Sequence, residues 1–405
     1  MNRRRFIQQS AAGMLAGNLV SAPAAEPLIA SIEKITLFKG RGRKEPTWFH
    51  PRPCVVPDKN GPRVLMTMQE IRGSDFFMPV QWTESADLGK TWTPPQPVPA
   101  LRRLPATAEL GEEGVCDVVP QFHVKTGTVL ALGHSVFYKG KTFDHIQPPR
   151  FPVYAVWKDG KWGERKKLQW DDPRGAAIYT NNCGQRVVLA DGSIMFVMSF
   201  NPAKAKRLAA GVRCSFDGET LAIQQVGREM KHGAGRGLLE PSLTQFQNRF
   251  YVTLRAEDGR GYVAASDDGL DFEDKQPWCW DDGTPLDMST TQQHWLPHSE
   301  ALHLVYTRKD ASNVNVIRWR TPLYMAQVDT KTLRLIRDTE RVVLPLVGDG
   351  VNAPDDVPIM GNFQTLNVTA DESWVTDGEM LPKRGFKGDV VLGKIRWSRA
   401  NGLMS

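Results

Sequence analysis

A short turn recurs along this chain and constrains its fold more than any other feature. Residues 85–92 read SADLGKTW, in which Ser85, Asp87, Gly89 and Trp92 form a Ser-x-Asp-x-Gly-x-x-Trp pattern. Residues 266–272 read SDDGLDF, a shortened form with Ser266, Asp268, Gly269 and Phe272; 215–218 read SFDG and 156–162 read VWKDGKW. In such a turn a Ser or Asp oxygen caps backbone N–H groups, Gly takes positive φ, and the aromatic ring packs back on the hairpin. One Asp-Gly turn alone says little. Here the copies at Asp87, Asp159, Asp217 and Asp268 lie 72, 58 and 51 residues apart, each after two strand-like runs. That spacing predicts radial repetition: an all-β propeller whose turns join the two outer strands of each blade.

Paired inner strands before each turn give a blade list. Blade 1 takes 49–56 and 63–69, blade 2 takes 115–123 and 127–133, and blade 3 takes 184–189 and 193–200. Blade 4 takes 239–246 and 249–255; blade 5 takes 291–297 and 301–308, with outer strands in 318–328. Blade 6 takes 361–368 and 372–377 and closes on 389–397, while the early apolar run 32–38 supplies the outermost strand that closes the ring. Six blades fit the 405 residues, and 12 Trp, 35 Gly and 28 Pro suit strands and turns better than long helices. The expected architecture is a single six-bladed β-propeller domain over 26–405.

The first 25 residues read as an export signal. Arg3-Arg4-Arg5-Phe6-Ile7 matches the twin-arginine pattern, a weakly apolar stretch runs from Ala11 to Val20, and Ala22-Pro23-Ala24 suits a signal peptidase. The stretch is too short to span a bilayer, so a periplasmic or secreted protein, free of the membrane after cleavage, is expected. Without Arg3, Arg4 and Arg5 the net charge falls from +6 to +3, which makes no case for nucleic acid. Five cysteines (Cys54, Cys116, Cys183, Cys214 and Cys279) lack CxxC spacing and are expected as buried free thiols; neither a zinc site nor a cofactor is expected.

Propeller geometry sorts the candidate site residues. The Asp-containing turns lie on one face, whereas starts of first strands and ends of second strands lie on the other, around the central channel. That second face collects Arg52, Arg72 and Asp75 from blade 1, Asp117 and His134 from blade 2, and Asn181 and Asn182 from blade 3. It also collects Glu240, Arg255, Glu257, Asp258 and Arg260 from blade 4, His294, Arg308, Arg318 and Arg320 from blade 5, and Gln364 and Glu379 from blade 6. Arginines from separate blades can grip a carboxylate through bidentate, charge-assisted hydrogen bonds that lysine cannot copy. His50, His134 and His294, with near-neutral imidazoles, offer acid or base groups. Trp295 and its amide-rich neighbours suit sugar stacking, and packing between blades explains them equally well.

The ordered combination of HPRPCVV (50–56), MQEIRGSD (68–75), LLEPSL (238–243) and TLRAEDGRGYVAASDDG (253–269), together with the turns, resembles the sialidase superfamily over nearly all of the chain after the signal. The resemblance implies that Arg52, Arg255 and Arg320 form a carboxylate-binding triad, with Arg318 or Arg308 as substitutes for Arg320. It implies that Asp75 is the general acid/base and that Glu240 is the carboxylate beside the nucleophile. The family's tyrosine nucleophile has no counterpart: 360–368 read MGNFQTLNV, and Tyr324 lies in an outer strand of blade 5. The expected function is an exported, sialidase-like glycoside hydrolase acting on an acidic glycan. A uronate lyase working through histidine or tyrosine and a non-catalytic carbohydrate-binding propeller stay open as alternatives.

Overall fold

A computed structural model describes residues 27–403 apart from 43, 60, 108, 145–146, 179–183 and 203–204. The export signal, Asn181, Asn182 and Cys183 therefore lie outside the described residues. Six antiparallel sheets follow one another along the chain, and each runs from an innermost to an outermost strand in sequence order. Blade 1 is Trp48–Val56, Arg63–Gly73, Gln81–Ser85 and Gln96–Pro97. Blade 4 is Leu239–Phe246, Arg249–Arg255, Gly261–Ser266 and Gln276–Pro277. Blade 6 breaks the order: Gln364–Thr369, Glu372–Gly378 and Val390–Trp397 are completed by the N-terminal Ile29–Phe38. Those two ends pair antiparallel from Ile29 opposite Trp397 to Phe38 opposite Val390, so the ring closes as the sequence predicts. Among the described residues no helix is long and apolar enough to cross a membrane.

Two blades depart from expectation. In blade 3 the inner position is split: Ala177–Ile178 and Val187–Val188 both pair with Ile194–Asn201. In blade 2 the inner hairpin outruns its expected limits, Glu112–His123 pairing with Thr128–Lys139. Ser135, Val136, Phe137 and Tyr138 are all buried and prolong the second strand. The extension makes Cys116 the direct cross-strand neighbour of His134.

The Asp-containing turns adopt the local chemistry expected of them. Ser85 Oγ accepts from Gly89 N at 2.7 Å, and Asp87 Oδ1 accepts from Thr91 N at 2.8 Å. Gly89 has φ 81°, and a Cβ there would meet Trp374 Cη2 at 2.7 Å, so conformation and space both require glycine. Through that contact a turn of blade 1 leans on the indole core of blade 6. In blade 4, Ser266 Oγ accepts from Gly269 N at 2.9 Å and donates to Asp271 O at 2.7 Å, while Asp268 Oδ1 accepts from Leu270 N and Asp271 N. The core lies between blades, where Trp278, Trp295 and Trp374 are fully buried. The four described cysteines outside 179–183 (Cys54, Cys116, Cys214 and Cys279) are free thiols.

Because Ser266 is buried and serves two backbone groups, Ser266→Ala leaves the Gly269 N–H without its partner. We expect a loss of about 1–3 kcal/mol in urea unfolding with an unchanged m-value. A midpoint equal to wild type would show that the turn does not hold blade 4.

Candidate functional site

Three blades repeat one backbone device at the channel mouth. The register of the inner hairpin slips between Phe49 and Arg52 in blade 1, between Cys116 and Val119 in blade 2, and between Leu239 and Ser242 in blade 4. At each slip one residue takes a left-handed conformation: His50 (φ 54°), Asp117 (φ 53°) and Glu240 (φ 45°). Pro51, Val118 and Pro241 follow them, and a proline is tolerated at a bulge because the ladder hydrogen bond is already lost there. Non-glycine residues held at positive φ are costly and cluster where side chains must be aimed. All three side chains line one cavity of about 420 Å³.

Asp75, itself left-handed at φ 54°, overhangs that cavity from the loop after the second strand of blade 1. Arg255, Arg318 and Arg320 line it from blades 4 and 5, and Arg150, Arg207 and Arg236 add three further guanidinium groups. Arg255 Nη1 donates to Glu240 Oε1 at 2.5 Å, and Glu240 Oε2 is buried without a hydrogen-bond partner. Arg236 is committed to Glu257 at 2.6 Å. Arg320 is 4% exposed; its Nε donates to Met360 O at 2.5 Å and its Nη2 is buried and unpartnered. Arg318 Nη1 reaches only Thr290 O, at 3.5 Å. Among the described residues no carboxylate lies within ion-pair distance of Arg318 or Arg320. Burial, and then the neighbouring Arg318, bring the Arg320 pKa down to about 9. Burial and Arg255 lower Arg318 as well. Arg320, stripped of water and set beside the exposed Arg318, is stabilised by an incoming anion.

The side of the cavity formed by blades 1 and 2 is different in kind. His50 Nε2 lies 3.4 Å from Asp117 Oδ1, and burial pushes its pKa down to about 4. His134 Nε2 is 3.3 Å from Cys116 Sγ and 3.2 Å from Arg150 Nη1; burial and then Arg150 push it down to about 3. Burial opposes ionisation of Asp117, yet the surrounding cationic groups overcome it and hold its carboxyl below the usual range. At neutral pH the two histidines are uncharged, so Arg52 and Arg150 are the partners that matter. Beneath the cavity Asp377, buried and accepting from Gly361 N at 2.7 Å, is pushed up to about 7 by burial against the pull of Arg320 and Arg52.

Several sequence candidates fall elsewhere. Arg52 is fully buried below the cavity lining, bonded to the Phe363 carbonyl and to Gln292 Oε1 at 3.1 Å, and 3.8 Å from Asp117 Oδ1. The bulge is the reason: the cavity-lining position of this strand belongs to His50, two residues earlier. His294 is buried in the same layer, between Ser242 Oγ at 3.1 Å and Gln292 at 3.3 Å. Arg72 is exposed and bound to Glu70, and Arg308 is paired with Glu340 over the Tyr324 ring. Glu379, past the end of its strand, is drawn to Lys34 and Arg41. Gln364 lines the opposite mouth of the channel, a wider cleft of about 1070 Å³. No tyrosine occurs among the described lining of the smaller cavity. Arg150, Arg207 and Arg236 were not among the sequence candidates. Arg150 and Arg207 precede third strands, whose starts lie on that same face.

No protein-family model matches the chain, and no curated protein matches it in sequence. Solved structures do match. A Dyadobacter fermentans protein of unknown function superposes with TM-score 0.61 at 14% identity, covering 91% of this chain and 100% of that one. The Hadza microbial sialidase Hz136 gives 0.63 at 13% identity, covering 90% and 68%. Trypanosoma rangeli sialidase in complex with 2,3-difluorosialic acid gives 0.61 at 14% identity, covering 91% and 59%, so the chain spans about three fifths of that enzyme. The fold is a sialidase-like six-bladed β-propeller. Within that propeller the residues brought together are Asp75, Glu240, Arg255, Arg318, Arg320, His50 and His134, and the cavity they share is cationic.

The histidines also set the acid sensitivity of the propeller. His50, His134, His294 and His303 titrate below their unfolded value near 6.5. Below that pH the unfolded chain takes up protons that the folded chain refuses, so stability is lost as the pH falls towards 4. Asp377 and Glu84 work the other way, since burial raises their folded values above their unfolded ones, but they are two groups against four. We expect urea midpoints to fall between pH 7 and pH 5, with a smaller fall in His303→Gln. A midpoint that holds or rises at pH 5 would refute the assignment.

Proposed function

We propose that the cavity holds the carboxylate of an acidic sugar, sialic-acid-like or uronic, and hydrolyses its glycosidic bond. The observation that carries this reading is the grouping of Arg255, Arg318 and Arg320, two of which have no carboxylate among the described residues within ion-pair distance. Bidentate guanidinium–carboxylate bonds would fix the sugar ring, and the strain of desolvating Arg320 would be relieved only when the anion arrives. A cavity of about 420 Å³ suits one sugar residue of an acidic oligosaccharide or polysaccharide.

Asp75, on the rim, gives its proton to the leaving glycosidic oxygen. The attacking water gives a proton to Glu240, whose Oε2 is buried and free while Oε1 is held by Arg255. Bond formation from water oxygen to the anomeric carbon, and loss of the aglycone as an alcohol, balance the reaction without a covalent intermediate. That route fits a cavity with no tyrosine in its described lining, and it predicts inversion at the anomeric carbon. The Arg3-Arg4-Arg5 segment supports export by the twin-arginine route, which would place the reaction in the periplasm or outside the cell.

His50 and His134, neutral at pH 7 within the same cavity, favour one competing reading: removal of the proton α to a uronate carboxylate, followed by elimination. The two reactions part at the product. Hydrolysis of carboxylated aryl glycosides yields a saturated sugar, whereas elimination yields an unsaturated one that absorbs in the ultraviolet. For hydrolysis we expect Asp75→Asn to lower kcat by roughly 10²–10⁴-fold with little change in KM. Arg320→Met is expected to raise KM for carboxylated substrates while leaving their neutral analogues untouched. Full activity in Asp75→Asn, or an unsaturated product, would overturn the proposal.

A further inference from the structure

On the blade-2 side of the cavity three donor atoms of different kinds converge. Cys116 Sγ, a carboxylate oxygen of Asp117 and His134 Nε2 all lie within 4.8 Å of one another. Cys116 and His134 are buried at 5% and 1% exposure, and all three residues line the cavity. The measured edges are 3.3 Å from Sγ to Nε2 and 3.8 Å from Sγ to Asp117 Oδ2. Metal–ligand bonds of about 2.3 Å to sulfur and about 2.0–2.2 Å to nitrogen and oxygen place tetrahedral neighbours roughly 3.4–3.6 Å apart. The donors therefore need to move by only a few tenths of an ångström along these two edges.

Two features of the donors bear on this cluster. Asp117 is held left-handed by the bulge; its Oδ1 has no hydrogen bond and lies 3.4 Å from His50 Nε2, while its Oδ2 lies 3.8 Å from Cys116 Sγ. His134 Nε2 accepts from Arg150 Nη1, which leaves the ring proton on Nδ1; the Nε2 lone pair, held by Arg150, lies 3.3 Å from Cys116 Sγ. A cross-strand pair explains why Cys116 and His134 touch. It does not explain why a strained carboxylate is aimed at the same point.

We propose that Cys116, Asp117 and His134 form a three-ligand site for a zinc-class divalent metal, its fourth position open to the cavity. Soft thiolate, imidazole and carboxylate together select zinc over magnesium or calcium. Three protein ligands and one open position are the pattern of zinc sites that bind substrate or water. A thiolate and a carboxylate balance the charge of the ion. Arg150 must withdraw from His134 Nε2 when the metal enters, so it acts as a competitor. This inference stands apart from the glycosidase reading, because its test requires no turnover.

The test is titration of the metal-free full chain with Co²⁺ and Zn²⁺. One equivalent of Co²⁺ is expected to produce a sulfur-to-cobalt charge-transfer band. Cys116→Ser abolishes that band, whereas Cys54→Ser, at the other channel mouth, keeps it. His134→Gln is expected to weaken Zn²⁺ binding by roughly 100-fold, at least the loss seen for outer partners of a metal site. Arg150→Gln, which removes the competing cation, is expected to bind Zn²⁺ more tightly than wild type. Circular dichroism checks each variant for folding; if Cys116→Ser does not fold, Asp117→Asn is used instead and is expected to weaken Zn²⁺ binding, wild-type affinity in that variant overturning the site. Binding of less than one equivalent by wild type, or a band that survives Cys116→Ser, overturns the site.

Discussion

The ladder between Ile29–Phe38 and Val390–Trp397 turns a row of sheets into a ring. An open row would leave two unpaired sheet edges and would let the inner strands splay. Closure removes both problems with a strand from the opposite end of the chain. It also fixes the distance across the channel, so that side chains separated by hundreds of residues meet at one place. Arg52 in blade 1 reaches the Phe363 carbonyl in blade 6, and Lys34 reaches Glu379. The cavity depends on that fixed diameter.

Within the ring, polar groups are arranged in two layers. The upper layer lines the cavity and is rich in guanidinium groups, with Glu240 already neutralising Arg255. The lower layer is a buried network in which Ser242, His294, Gln292 and Arg52 hand hydrogen bonds from blade 4 across to blade 6. Buried networks of this kind are costly unless nearly every member is satisfied, and they rigidify the groups above them. Asp377 sits where the layers meet, balanced between desolvation and two arginines. The electrostatics of the mouth are thus held from below.

The architecture was largely legible in the sequence, and the site only in part. Asp87, Asp217 and Asp268 announce the turns because local hydrogen bonding alone dictates their residue types. Blade 4 could be delimited to the residue, since Leu239–Phe246 and Arg249–Arg255 are joined by the two-residue turn Gln247-Asn248. Arg52 shows what sequence reading lacks. A single inserted residue at the bulge changes which side chain lines the cavity, and neither Pro51 nor Pro53 reveals its register. Arg150, Arg207 and Asp377 became visible only when third strands and buried strand ends were placed in space. The Cys116–His134 pairing needed the true length of the blade-2 hairpin, which composition around Gly133 did not convey.

The separation of the two faces has an evolutionary corollary. The turns that lock each blade lie at the far end of the strands from Asp75, Glu240 and the arginines. Drift in those turns can erode or restore robustness without touching recognition. Conversely, the bulged mouth can exchange its side chains while the lattice of strands stays unchanged. A ring built this way can acquire a new ligand by altering a few projecting residues on one rim.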